Sequence, residues 1–190
     1  DGGRPCLVLE WLDGEDLGRR RAGQSLGEGI EIARQAAEGL AAIHRAGLVH
    51  GDVKPSNVVV SRAGERPLVK LIDLGVARKI GEPDPALRGL LVGTPSYMSP
   101  EQARGDDAIS AASDLFSLGV VLYELLAGRR PFTGSDPFVV LAKILLEDPP
   151  LLSLLAPHVP AALDTLVMRA LSKPAEQRFR SADEVVRALA

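Results

Sequence analysis

The sequence has almost no cysteine and few aromatic residues. Cys6 is the one cysteine among 190 residues, which excludes an internal disulfide and a cysteine-based metal cluster. Aromatic residues make up 4% of the chain, so the core must be built from aliphatic side chains within a hydrophobic content of 46%. A chain of this length can form one domain with a sizeable core. The cysteine usage predicts a cytoplasmic compartment.

Two further absences limit the partners. The formal net charge is −3 and there is no long basic run, so we expect no nucleic-acid partner and no anionic membrane surface. The longest apolar stretch, residues 115–127, is interrupted by Ser117 and Glu124 and is too short for a membrane segment. The chain begins with Asp1, shows no signal peptide and soon enters an apolar run, from which we expect a fragment of a longer protein.

Hydrophobic patterning predicts strands and one long helix in the first half of the chain. The apolar run at residues 6–11 predicts a buried strand, with a turn at residues 12–15. Apolar residues recur at helical spacing across residues 26–45. Two more strands are expected at residues 58–60 and 68–72.

The second half is predicted to be mainly helical. Residues 76–100 are irregular and rich in Gly and Pro, and such a long loop is usually functional or disordered. Helices are expected at residues 114–127, 137–146 and 161–171. A last helix is indicated by a serine and a glutamate at capping-box spacing in residues 181–184.

One polar stretch, HGDVKPSN at residues 50–57, lies between two apolar runs. A loop held at both ends by the core is a common place for catalytic residues. Taken alone, its Asp and Asn could simply cap a turn, and the DLG at residues 73–75 could simply end a strand.

Five motifs, taken together, resemble the protein-kinase signature set. In the family's order they are His50-Gly51-Asp52 with Asn57, Asp73-Leu74-Gly75, Ser99-Pro100-Glu101, Asp114 and Arg178. Over essentially its whole length the chain resembles a bacterial Hanks-type serine/threonine protein kinase. The resemblance implies an α+β fold, a protein-kinase-like large lobe that is mainly α-helical with short β-strands around the catalytic loop.

The resemblance also implies boundaries. Residues 1–16 would be the end of a small-lobe strand and the hinge, and residues 17–190 the C-terminal lobe. The catalytic loop would be residues 50–57 and the activation segment residues 73–101. The Gly-rich loop, strand lysine and pairing Glu of the small lobe are absent from these residues, so we expect this chain to be inactive alone and to need that N-terminal lobe as a partner in cis.

By resemblance the reaction uses ATP and Mg²⁺ and phosphorylates a Ser or Thr of a protein substrate. Asp52 would accept the proton of the substrate hydroxyl, Lys54 would reach the γ-phosphate, and Thr94 would support both. Asn57 and Asp73 offer the hard oxygen ligands that Mg²⁺ prefers.

The LEWL at residues 9–12 resembles the hinge that binds adenine. Backbone groups of Glu10 and Leu12 would bond to the base, with Leu9 as the gatekeeper. Asp16 would reach the ribose, and Val59 would pack under the ring.

Two other functions remain open. A pseudokinase-type nucleotide-binding scaffold is disfavoured by the intact Asp52, Lys54, Asn57 and Asp73. A kinase-like phosphotransferase for small molecules such as aminoglycosides or choline is disfavoured by the Ser-Pro-Glu segment. Lys54 two residues after Asp52, with a Gly-Thr before that segment, is the serine/threonine rather than the tyrosine pattern.

Two departures from the family pattern concern regulation and packing. Gly51 replaces the arginine that pairs with a phosphate on the activation loop, and residues 76–92 contain no Ser, Thr or Tyr. We therefore predict activity that does not require activation-loop phosphorylation. Leu74 replaces Phe and is expected to fill similar space.

Other residues receive structural roles. By resemblance Glu101 and Arg178 form a buried ion pair, and Asp114 anchors the catalytic loop, although helix capping alone would also explain it. His50 is expected to be structural, and His44 is assigned no function. Cys6 is expected to be a small buried hydrophobic residue.

Overall fold

The computed structural model describes residues 6, 8–20, 25–63, 66–82, 92–106 and 109–190. In this part of the chain there are seven α-helices and five short strands, which confirms the α+β class. The helices are α1 (Leu26–Arg45), α2 (Pro100–Arg104), α3 (Ala111–Ala127), α4 (Pro137–Leu146), α5 (Leu152–Leu155), α6 (Ala161–Ala170) and α7 (Ala182–Ala188). The strands are β1 (Gly14–Asp16), β2 (Leu48–Val49), β3 (Val58–Ala63), β4 (Arg66–Leu71) and β5 (Arg78–Lys79).

Helix α3 forms the centre of the core. It is buried along most of its length, and helices α1 and α6 pack against it. Ser110 caps its first turn and exchanges hydrogen bonds with Ser113, so the helix starts three residues before the predicted residue 114. Gly128 ends it in the left-handed conformation, with φ of 69°. Asp114 therefore lies in the first turn of a buried helix.

Two small antiparallel sheets frame the 50–57 loop. Strands β1, β3 and β4 form one sheet in the order β1-β3-β4, and β2 pairs with β5 in the other. The 50–57 loop leaves β2 and leads directly into β3. Val58 is paired with Leu71, so the residues just before β3 and just after β4 lie at the same end of the hairpin.

The helical predictions are confirmed for α1 and α4 at both ends, and α6 ends one residue earlier than predicted. Strand β3 extends to Ala63, and β4 covers residues 66–71 instead of 68–72. Only one of the two hydrogen bonds of the capping box predicted for α7 is present. Ser181 accepts a hydrogen bond from the Glu184 amide at 3.2 Å, but the Glu184 carboxylate accepts from the Arg180 amide at 2.7 Å.

The prediction of a buried strand at residues 6–11 is wrong. Among the described residues of this run none is in a strand, Cys6 is exposed, and the side chains of Val8 and Trp11 are 92% and 89% exposed. A strand requires a hydrogen-bonded neighbour, and the edge of β3 pairs instead with Gly14–Asp16, partly where a turn was predicted. Within the part of the chain that the structure describes, every helix is too short or too polar to span a bilayer.

Candidate active site

The 50–57 loop is attached to helix α3 through its backbone. The Asp114 carboxylate accepts a hydrogen bond from the His50 amide at 2.8 Å and from the Gly51 amide at 2.9 Å. Asp114 is 1% exposed, so these bonds are shielded from water. This confirms that Asp114 anchors the loop. Its carboxylate reaches across to the loop instead of only capping its own helix.

His50 is a buried structural residue, as predicted. Its ring is 0% exposed, with Nε2 at 3.1 Å from the carbonyl oxygen of Ile72 and Nδ1 accepting from the Asp52 amide at 3.3 Å. The tautomer with its proton on Nε2 satisfies both contacts. The ring thereby links the start of the 50–57 loop to the end of β4.

The predicted catalytic side chains meet in one cluster. Asp52 Oδ1 accepts hydrogen bonds from the Thr94 amide and hydroxyl, both at 3.0 Å. Lys54 Nζ lies 2.6 Å from Asp52 Oδ2 and donates to the Thr94 hydroxyl oxygen at 2.9 Å. The Asn57 amide nitrogen donates to the Asp52 carbonyl oxygen at 2.9 Å. The carboxylate is thus held in place beside a cation, and the Asp52 and Lys54 side chains are 12% and 23% exposed.

The two residues predicted to bind Mg²⁺ lie at the same end of the β3–β4 hairpin. The Asn57 carbonyl accepts from the Ile72 amide at 3.0 Å, which brings Asp73 close behind. Asp73 has a φ of 65°, and no other non-glycine residue of the described chain has a positive φ. Its Oδ1 accepts from the Gly75 amide at 3.2 Å. Among the described residues no hydrogen bond to the second carboxylate oxygen is found, so that oxygen could bind a cation.

This oxygen pair suits Mg²⁺. The described residues hold no cluster of three or more His, Cys, Asp or Glu side chains that could hold a metal ion. Mg²⁺ is usually bound by one or two carboxylates together with waters and substrate phosphates, rather than by an all-protein cage. The Asn57 side-chain nitrogen donates to the Asp52 carbonyl oxygen, so its side-chain oxygen is the atom that could bind a cation beside Asp73.

The predicted hinge residues are only partly brought together. Val59 is paired with Asp16 in the β1–β3 ladder, so these two residues are neighbours. Leu9 is 74% exposed, and the Glu10 side chain forms an ion pair with Lys70 at 2.5 Å. Leu12 is half-buried.

Asp16 is already engaged by a neighbour. It accepts from the Arg19 amide at 3.0 Å and lies 3.3 Å from the Arg19 guanidinium. A ribose hydroxyl would therefore compete with Arg19 for this carboxylate.

Glu101 and Arg178 form the buried ion pair that the resemblance implied. Arg178 is 0% exposed at its side chain and makes two parallel bonds to Glu101, at 2.8 and 2.9 Å. Burial disfavours the Glu101 carboxylate, but the hydrogen bonds and charge of Arg178, with a bond from Ser113, outweigh it and hold the pKa of Glu101 below its ordinary value. Helix α2 is thereby fixed to the core.

Two contacts of this region involve residues that the sequence analysis missed. His44 Nε2 lies 2.8 Å from Asp114 Oδ2, a pairing 70 residues apart that no local pattern indicates. Gln102 donates from Nε2 to the Gly51 carbonyl at 2.8 Å and accepts from the Ser99 amide at 3.0 Å. Ser99 and Gln102 have the spacing of a capping box, so the sequence could have indicated the Ser99–Gln102 bond. It held no signal for the bond between Gln102 and Gly51.

Comparison with known protein sequences shows the family of the chain. Residues 2–187 match the Protein kinase domain family, and the chain therefore belongs to that family. It is 41% identical over 197 residues to the serine/threonine-protein kinase Pkn2 of Myxococcus xanthus, covering 100% of this chain and 24% of that protein. It is 38% identical over 189 residues to the serine/threonine-protein kinase PknB of Mycobacterium tuberculosis, covering 97% of this chain and 30% of the relative.

A probable serine/threonine-protein kinase of Streptomyces coelicolor is also 38% identical over 189 residues, covering 95% of this chain and 27% of that protein. The chain thus spans less than a third of the length of these curated relatives.

Proposed function

We propose that this chain is the large lobe of a serine/threonine protein kinase, which transfers the γ-phosphate of Mg-ATP to a Ser or Thr hydroxyl of a protein. The cluster around Asp52 carries the proposal. One carboxylate oxygen accepts two hydrogen bonds from Thr94, and the other lies 2.6 Å from Lys54 Nζ. Phosphoryl transfer depends mainly on positioning and charge stabilisation, and this cluster offers both.

In this proposal Asp52 orients the substrate hydroxyl and accepts its proton as the phosphate is transferred. A general base of this kind contributes about 10²- to 10⁴-fold to the rate. Lys54 carries positive charge next to that carboxylate and would stabilise the charge on the transferred phosphate. Thr94 holds both side chains in register. Asn57 and Asp73 would hold Mg²⁺, which when bound neutralises charge on the phosphates.

In this proposal residues 1–16 are the end of a small-lobe strand and the hinge, residues 17–190 are the C-terminal lobe, and ATP binds beside the hinge. Val59 would pack under the adenine and Asp16 would reach the ribose, a placement supported by their pairing in the β1–β3 ladder. Leu9 as gatekeeper, with backbone groups of Glu10 and Leu12 bonding to adenine, rests on the motif resemblance.

We propose that the chain needs a small lobe in cis to be active. A Gly-rich loop and a strand lysine, which hold the ATP phosphates in the family, do not occur in the 190 residues. The exposed apolar side chains of Val8, Leu9 and Trp11 support this, because they form a surface that a second lobe would cover. We propose the cytoplasm, where ATP is available, as the compartment.

The acceptor class is tested with labelled ATP and the parent protein, so that the upstream segment is present. Casein serves as a general Ser/Thr protein acceptor, and choline and an aminoglycoside serve as small-molecule acceptors. We expect label on serine or threonine after acid hydrolysis of the protein. Label on tyrosine alone, or transfer only to a small molecule, would contradict the proposal, and binding of Mg-ATP without any transfer would favour the scaffold.

A further inference from the structure

One glutamine side chain links helix α2 to the 50–57 loop. Gln102 is 6% exposed, and its amide nitrogen donates to the Gly51 carbonyl at 2.8 Å. Its amide oxygen accepts from the Ser99 amide at 3.0 Å, which fixes the orientation of the group. A buried carbonyl that loses its donor costs free energy, so this bond matters for where the Gly51 peptide lies.

The side chain of Gln102 is itself firmly held. It belongs to the short helix α2, whose preceding residue, Glu101, is bonded twice to the fully buried Arg178. The Ser99 hydroxyl accepts a hydrogen bond from the backbone N–H of Gln102 at 3.3 Å, which completes a capping box. The side-chain amide of Gln102 is therefore already held in place, so it loses little conformational entropy when it bonds to the 50–57 loop.

Both backbone polar groups of Gly51 are bonded to side chains from other elements. Its N–H donates to Asp114 of α3, and its carbonyl accepts from Gln102 of α2. Gly51 has a φ of 79°, and a Cβ added there would lie 3.3 Å from the Val76 carbonyl oxygen. The loop is thus fixed at this residue through its backbone, and the position favours glycine.

Residue 51 cannot supply an ionic link to the activation segment. Glycine has no side chain to meet a phosphate, and residues 76–92 contain no Ser, Thr or Tyr to carry one. The segment that ends in α2 still contacts the 50–57 loop on both sides of the Gly51–Asp52 peptide bond. Thr94 bonds to the Asp52 carboxylate and Gln102 bonds to the Gly51 carbonyl.

We propose that Gln102 is a positioning residue for the 50–57 loop. Together with Thr94 it holds the activation segment against Gly51 and Asp52 in the arrangement needed for phosphotransfer, with no phosphate on residues 76–92. The inference rests on the proposed function for its rate readout. It makes a separate statement about the backbone of residues 50–52, which can be measured without activity.

Gln102→Glu is the sharpest variant, because it changes a donor into an acceptor at the same size. The new carboxylate can still accept from the Ser99 amide, but it faces the Gly51 carbonyl without a proton. Burial raises the pKa of such a carboxyl, so lowering the pH returns a proton that can again be donated. We expect kcat of the parent protein to fall about tenfold at pH 8.5, with KM for ATP within about twofold, and the deficit to shrink toward pH 6.

Two control variants separate positioning from general effects. Gln177→Glu makes the same chemical change at an exposed glutamine and should leave kcat unchanged at both pH values. Ser99→Ala removes the capping hydroxyl and should lower the thermal midpoint without a pH-dependent deficit in kcat.

Amide exchange of residues 48–54, measured by mass spectrometry, gives the readout that needs no activity. We expect faster exchange in Gln102→Glu than in wild type at pH 8.5. If the wild type shows no transfer that depends on Asp52, the proposed function fails, and this exchange decides the inference by itself. Unchanged exchange in Gln102→Glu, or a deficit in kcat that is the same at both pH values, would overturn it.

Discussion

At the scale of single residues, one buried carboxylate orders the start of the 50–57 loop. Asp114 accepts from the amides of His50 and Gly51 and is also 2.8 Å from His44 Nε2. Two backbone donors that lose a charged acceptor inside the core must be left partly unsatisfied. The side chain of Asp114 therefore affects both the stability of the lobe and the geometry around Asp52.

We predict that Asp114→Asn lowers the free energy of unfolding by about 1 to 3 kcal/mol, because the amide has one acceptor oxygen for several donors. Urea denaturation measures the loss. Asp183→Asn is the matched control, since Asp183 is 51% exposed and pairs with Arg45 at 3.1 Å on the surface. That control should change stability by less than about 1 kcal/mol. Equal losses in the two variants would contradict this role for Asp114.

The Glu101–Arg178 pair leads to a second prediction. Glu101→Gln leaves the Arg178 charge buried without its counterion, since that side chain is 0% exposed. The cost is expected to be about 3 to 5 kcal/mol of unfolding free energy, measured by urea denaturation at pH 7. Because glutamine has nearly the same shape as glutamate, the loss of unfolding free energy can be attributed to the missing charge. A loss below about 1 kcal/mol would contradict the prediction.

The same pair makes stability depend on pH. Because the pKa of Glu101 is lower in the folded chain than its ordinary value of 4.5, the unfolded chain binds the proton more readily. The contribution of the Glu101 carboxylate is therefore fully present above pH 4.5 and is lost as the pH falls toward the folded pKa. Unfolding free energies of Glu101→Gln should fall less steeply below pH 4.5 than those of wild type; parallel curves would exclude this linkage.

The sequence was informative about residues that lie close together along the chain. Asp52, Lys54 and Asn57 occupy one short loop, and the hairpin that follows returns Asp73 to its end. His44 could not be assigned, because its partner is 70 residues away and only the packing of α1 on α3 brings them together. The hydrogen bond from the Gln102 side chain to the Gly51 carbonyl was also missed, because these two residues are far apart in the sequence.

At the scale of elements, a glycine allows α3 to approach α6 closely. A Cβ added at Gly119 would lie 2.8 Å from the Ala170 Cβ and 3.3 Å from Leu171 Cδ2. The methyl group of Ala170 is fixed to the α6 backbone and cannot rotate away, so the helices would have to separate. The free energy gained by close packing of α3 on α6 thus exceeds the entropic cost of a glycine within a helix.

We predict that Gly119→Ala lowers the unfolding free energy by about 1 to 3 kcal/mol through overpacking. Gly29→Ala in α1 is the matched control, because no atom of the described residues outside α1's own backbone lies within 4 Å of a Cβ added there. That change should raise stability by about 0.5 to 1 kcal/mol through helix propensity. Denaturant titration of both variants measures the difference, and a stabilising Gly119→Ala would show that the two helices tolerate greater separation.

Elements with local signals were predicted well, and elements that depend on a distant partner were not. Helices α1 and α4 have apolar residues at helical spacing, and each begins directly after a capping residue, Ser25 in α1 and Asp136 in α4. The strand expected at residues 6–11 depended on a neighbour that the hydrophobic pattern alone cannot supply. The edge of β3 pairs with Gly14–Asp16 instead, two of whose three residues are acidic and carry no apolar signal.

At the scale of the whole molecule, the described chain has a buried core and three exposed apolar side chains near its start. Val8, Leu9 and Trp11 are 92%, 74% and 89% exposed. Three large apolar side chains exposed within four residues are a candidate interaction site. In the proposed function it is the face that the small lobe covers.

Trp11 is the one tryptophan of the chain, so its fluorescence reports on this surface directly. We predict that the isolated 190-residue chain shows the red-shifted emission of a solvated indole, strongly quenched by acrylamide. In a chain extended upstream by the small lobe, emission should shift to the blue and quenching should weaken. Trp11→Phe provides the blank in both forms. Identical spectra in the short and extended chains would contradict covering of this face.

The proposed role of Asp52, which accepts the substrate proton in a kinase reaction, is tested by comparing one variant with the wild type. Phosphotransfer from labelled ATP and the affinity for Mg-ATP are measured for wild type and Asp52→Asn in the parent protein. We predict a rate about 10²- to 10⁴-fold lower in Asp52→Asn, with ATP affinity nearly unchanged. A variant that transfers phosphate as fast as wild type would contradict it.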